Sequence, residues 1–108
     1  MGKHEEDPVV PQIRVTEENL HPHLRARMQQ RGITRAEIER TLNEGWDATD
    51  AKSGTLGKVM VFAYHAVWEG QSYEEKEVTV YYKELQAHHT LLTVMARYGR
   101  NFARGTRG

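Results

Sequence analysis

The sequence predicts an α+β domain in which two short N-terminal helices pack on one face of a three- to four-stranded antiparallel sheet. Three observations carry this. Residues 14–45 contain two helix-length segments closed by start and stop signals. After Gly45 the pattern changes to three runs rich in β-branched and aromatic residues. A length of 108 residues suffices for one modest core and is too short for two.

Thr16 in "VTEENL" is an N-cap candidate with Val15 and Leu20 at staple spacing, so a first turn begins there. Pro22 lacks an N–H and its ring clashes with a preceding helical turn, yet it is accepted at a first helical position. The first helix therefore starts at Pro22, behind His21. Leu24 and Met28 face the core, and Gly32 ends the helix in a left-handed conformation. Thr34 and Glu37 then form a capping box bracketed by Ile33 and Ile38, which makes "RGIT" a tight joint. Ile38 and Leu42 continue the apolar stripe of the second helix, which Gly45 stops.

The strands are expected over 58–68, 76–84 and 90–99. "EGQSYEE" and "LQAHH" are long enough for hairpin turns, so successive strands run antiparallel. "WDATDAKSGTLG" holds a short fourth strand or a loop around Gly54 and Gly57. Alternation puts Val78, Val80 and Tyr82 on the core face and Thr79, Tyr81 and Lys83 on the other. In the last strand Leu92, Val94, Ala96 and Tyr98 form the core set, opposite Leu91, Thr93, Met95 and Arg97. With core faces aligned, Tyr81, Lys83, Thr93 and Arg97 share the outer face. In the first long strand Met60, Phe62 and Tyr64 compete for the core with Val59, Val61 and Ala63. Residues 1–13 and 100–108 hold few large apolar side chains and read as flexible tails around a domain spanning 14–99.

No run approaches the roughly 18 apolar residues of a membrane span, and the polar N-terminus argues against a signal peptide. The absence of cysteine excludes disulfides and thiolate metal sites and is compatible with a cytoplasmic location. The net charge is zero but unevenly spread: five arginines face two glutamates over 23–40, and 97–108 carries four arginines and no acid. Brought together, these segments would make a basic patch for phosphates; kept apart, they are solvated surface. His88 and His89, with His65, invite a metal reading. Adjacent strand residues point to opposite faces, however, so neither a metal nor another cofactor is expected.

His23, Arg27 and Gln30 form a stripe along the first helix that borders its core face. In the first helical turn the dipole disfavours imidazolium, and a neutral imidazole can accept a proton. Arg27 could hold a phosphate bidentately. The plainer alternative is a cap or surface histidine beside solvated arginines, with Arg31 capping the helix C-terminus.

The run His23-x-x-x-Arg27-Met28-x-x-Arg31-Gly32-Ile33-Thr34, continuing through Glu37, Ile38 and Leu42, resembles the bacterial family of the domain of unknown function 4258. Three strands ending in "TVMARYG" fit that family's layout, and the resemblance spans roughly residues 20–99. The family in turn looks related to the small RelE-like and BrnT-like toxin folds. This resemblance implies a RelE-like, metal-independent endoribonuclease with RNA as substrate and an antitoxin protein as partner. His23 would act as base for 2′-hydroxyl attack or as acid for the leaving oxygen. Arg27, Lys83 and Arg97 would neutralise the phosphate, Tyr98 or Thr93 would orient it, and Arg31 and Tyr81 would contact substrate. The chain departs from the family in a longer first strand and in the acidic turn "EGQSYEEKE", which opposes phosphate contacts. The alternative class is a non-catalytic module that docks nucleic acid or a partner protein on the same face. Convergence of His23, Arg27, Lys83 and Arg97 is the geometric requirement of the nuclease.

Overall fold

A computed structural model describes residues 12–85 and 88–105. A 3-10 turn at Glu17–Asn19 leads into α1 (Pro22–Arg31) and α2 (Arg35–Glu44), then β1 (Trp46–Asp47), β2 (Leu56–Trp68), β3 (Gln71–Leu85) and β4 (His88–Gly99). The strands form one antiparallel sheet in the order β1-β2-β3-β4. On one face of it, α1 packs against β4, and α2 against β2 and β3. This is the α+β architecture the sequence predicts, with "WDATDAKSGTLG" supplying the short fourth strand. Among the described residues no helix is long and apolar enough to cross a membrane.

The local signals act where they stand. His21 is the N-cap of α1: its Nδ1 accepts from the Leu24 N–H at 3.2 Å. That assigns the ring proton to Nε2, which donates to the Leu91 carbonyl of β4 at 2.8 Å. Gly32 closes α1 at φ 70°. In the joint, Thr34 Oγ1 accepts from the Glu37 N–H at 3.1 Å, and Glu37 Oε1 accepts from the Thr34 N–H at 2.9 Å.

The core joins Leu24, Ile33, Ile38 and Leu42 to Val78, Val80, Tyr82, Leu91 and Val94. Val15 and Leu20 close it from the N-terminal side. The extended stretch there is held by α2 side chains one and two turns apart. Asn43 bonds both the N–H and the C=O of Ile13, at 2.7 and 2.8 Å, so Ile13 is anchored although the sequence assigns it to a tail. Glu39 accepts from the Val15 N–H and Arg35 donates to its carbonyl, each at 2.7 Å. A stripe of side chains thus satisfies backbone groups that a neighbouring strand would otherwise take.

Three strand expectations change. The β2–β3 hairpin turns on two residues, Glu69 and Gly70, at φ 49° and 83°. Positive φ at both central positions matches the twist of the flanking strands, so pairing continues through residues read as turn and β3 begins at Gln71. In β4, Tyr81 pairs with Thr93 but Tyr82 pairs with Leu91, leaving Leu92 as an extra residue. The bulge resets the alternation, and Leu91 replaces Leu92 in the core. In β2, Met60 and Phe62 pair with Val78 and Lys76 and lie on the helix side, settling the competition against Val59 and Val61. The readings of residues 1–11 and 106–108 as tails, and of the His88 and His89 side chains as weak metal candidates, lie outside the described residues.

Candidate functional site

Lys76 is in phase with Val78, Val80 and Tyr82 and shares their core face, where it is 2% exposed. Its ammonium donates to the Gly32 carbonyl and, at 2.7 Å, to Glu37 Oε1. It also lies 5.6 Å from the ring centroids of Tyr64 and Tyr98. The Tyr98 hydroxyl donates to the Arg31 carbonyl at 2.6 Å, and Trp68 stacks on the Tyr98 ring at 5.0 Å. Burial pushes the Tyr98 phenol well above its ordinary value. The sheet thereby satisfies two carbonyls at the end of α1. Sequence reasoning passes over Lys76, although a lysine in phase with three core residues is the signal that it must be paired. This cluster is a structural clamp, and it removes Tyr98 from any role in orienting a phosphate on the outer face.

The eight sequence candidates separate into two groups. His23 is exposed on α1, its ring 6.1 Å from that of His21 and nearly parallel to it. Arg27 donates to Gln30 Oε1 at 2.9 Å. Arg31 carries one guanidinium nitrogen that is buried without a partner. These three, with Tyr98, belong to the helix side. Tyr81 pairs with Thr93 and Glu77 with Arg97 on the outer face, and Lys83 is exposed one alternation beyond Tyr81. The sheet stands between the groups because the His23/Arg27 stripe borders the Leu24 face, and Leu24 is buried against the inner side. One phosphate cannot meet both His23 and Arg97.

The outer face carries a groove of about 720 Å³. Its floor is Val59, Thr79, Tyr81 and Met95; residues 46–50 form one wall and residues 103–105 another. Its two cations, Arg97 and Arg104, are paired within the chain. Arg97 donates from Nε and Nη2 to the two oxygens of Glu77, at 2.7 and 3.1 Å. The Tyr81 hydroxyl donates to Asp50 at 2.9 Å, and burial first, then Asp50, pushes that phenol up. Gly57 lets this corner close, since a Cβ there would stand 2.8 Å from Ala48 Cβ and 3.2 Å from the Tyr81 ring.

The second wall comes from residues read as the start of the basic tail. After Gly99 the chain turns at Asn101, φ 58°, and returns across the sheet as a strap. Glu75 accepts from Arg104 at 2.8 Å and from the Phe102 N–H at 2.9 Å, and these donors hold its carboxyl below the usual range. Arg97 lies over the Phe102 ring at 4.9 Å. Gly105 approaches Trp46 so closely that a Cβ would overlap the indole. "RNFARG" has no periodicity to reveal this; its one trace is an isolated Phe among polar residues. No histidine lines the groove, and among the described residues no group of three His, Cys, Asp or Glu could hold a metal ion.

Residues 20–96 match the model of a family described as Domain of unknown function (DUF4258). No curated protein and no solved structure matches the chain.

Proposed function

We propose that this chain, which belongs to the family described as Domain of unknown function (DUF4258), works as a binding module that docks a polypeptide partner on the outer face of its sheet. The observation that carries this reading is the groove itself, with Val59 and Met95 in its floor and its arginines paired within the chain. Phosphate binding draws its affinity from cations that replace condensed counterions. Arg97 and Arg104 are already held by Glu77 and Glu75, so a nucleic acid would first have to break those pairs. A polypeptide can leave the Arg97–Glu77 pair intact: it covers Met95, 42% exposed, and meets the polar rim with backbone groups. The test places a photo-crosslinking residue at Met95, or at His23 as control, in the full chain inside the source cell. Crosslinks to a protein from position 95 and none from position 23 are expected. Crosslinks to RNA alone, or equal yields from both positions, overturn the proposal.

A second reading keeps RNA as the partner, because Tyr81, Lys83, Thr93 and Arg97 do share one face. In this form Arg97 and Lys83, six residues apart along the strand pair, neutralise separate phosphates of one RNA strand, Tyr81 and Thr93 lie between them, and His23 and Arg27 stand outside the site. It predicts RNA ends carrying 2′,3′-cyclic phosphate in the presence of EDTA. Arg97→Ala abolishes the cleavage and His23→Ala leaves it unchanged. RNA left intact by the wild-type chain removes this reading.

A further inference from the structure

The strap shows what kind of chain the outer face accepts. Glu75 takes a backbone N–H and a guanidinium from residues two apart, while the aromatic ring of the first sits between Arg97 and Gly99. The residue after the arginine passes over Trp46 where only glycine fits. Without the strap, the remaining groove lining carries Asp50 and Glu77 against Arg97, and Glu75 beside it loses both donors. That surface is acidic, and its complement is basic.

We infer that the groove binds an extended basic peptide of the form aromatic–spacer–arginine–glycine, and that Phe102-Ala103-Arg104-Gly105 is a built-in competitor for that site. The inference rests on the outer-face reading above and adds the partner's chemistry. The strap is suited to displacement. Its ion pair joins an Arg104 side chain 50% exposed to a Glu75 side chain 19% exposed, and such pairs stabilise little. What favours the strap over a free peptide is its tether, which sets a high effective concentration and vanishes as an advantage once the strap is loosened.

The probe is a fluorescein-labelled peptide with the sequence GRNFARGTRG, titrated with full-length protein and read by anisotropy. Phe102→Ala/Arg104→Glu loosens the strap through its ring and its charge; Gly105→Leu does so at Trp46 without altering charge. Either is expected to bind the peptide about tenfold more tightly than wild type. Adding Glu75→Gln removes most of the gain, and a scrambled peptide of equal composition binds more weakly. Folding of each variant is verified by circular dichroism. No binding by either folded, loosened variant, or equal binding of the scrambled peptide, overturns the inference. If that occurs while Met95 still crosslinks to a protein, only the peptide chemistry is wrong; loss of both results overturns the outer-face reading as well.

Discussion

Lys76 shows how one side chain ties two layers together. Its ammonium is fully withdrawn from water and finds a carbonyl, a carboxylate and two aromatic rings. Removing it leaves Glu37 facing an uncompensated site, and breaking a buried pair from one side costs about 3–5 kcal/mol. Lys76→Met is therefore expected to lower stability by about 3 kcal/mol in urea denaturation, with Lys76→Met/Glu37→Gln recovering part of the loss. Gly32 carries two constraints at once: φ 70°, and a Cβ position 2.5 Å from Trp68 Cζ3 and 2.8 Å from the Tyr98 hydroxyl. Gly32→Ala should cost more than the roughly 1 kcal/mol of an ordinary left-handed site, read by the same denaturation. At Glu75 the folded carboxyl titrates below its unfolded value, mainly through Arg104 and then Phe102. Its contribution is present above the ordinary carboxylate range and is lost as pH falls through the depressed value. The protection factor of the Phe102 amide, taken against its intrinsic exchange rate at each pH, is expected to fall under acid while the core amides stay protected.

At the scale of elements, the helical joint and the β4 bulge behave differently. The joint is local: Thr34 and Glu37 cap each other across three residues, and Thr34→Ala is expected to cost about 1 kcal/mol, measured by thermal unfolding. The bulge is not local. Nothing in "TLLTV" tells Leu91 from Leu92, and only the pairing of Tyr82 with Leu91 turns that side chain inward. Leu91→Ala should destabilise by about 2–5 kcal/mol and Leu92→Ala by much less, which urea midpoints of the two variants compare directly. A regular alternation through β4 would reverse that order. The hairpin at Glu69-Gly70 lies between these cases. Its turn chemistry is written in two residues, yet the acidic run behind them resembles a loop until it is paired.

For the whole molecule, the sheet acts as a partition. One side is sealed by α1, α2 and the Lys76 clamp; the other is an open groove bordered by the chain's own C-terminal strap. Substitutions on the two sides should therefore act independently, as they do for distant sites without shared partners. With the crosslinking residue at position 95, Val59→Lys in the groove floor is expected to abolish crosslinking, whereas His23→Ala and Arg27→Ala leave it at wild-type yield. The two arginine-rich segments of the sequence do not pool into one basic surface either. Those of α1 and α2 stand on the helix layer, while Arg97 and Arg104 are spent on Glu77 and Glu75.

What the sequence determines by itself is what neighbours in the chain decide: the caps at Pro22, Gly32, Thr34 and Gly45, the change of period after the second helix, and the outer-face set Tyr81, Lys83, Thr93 and Arg97. These depend on spacings of a few residues, where backbone geometry leaves little choice. The tertiary structure alone decides which leucine of β4 is buried, that Lys76 is a core residue, and that His21 bonds across to Leu91. It also brings Glu75 to Phe102 and Arg104, and places His23 and Arg97 on opposite sides of the sheet. Each of these is a meeting between residues tens of positions apart, and strand register, bulges and layer packing set such meetings rather than any local preference.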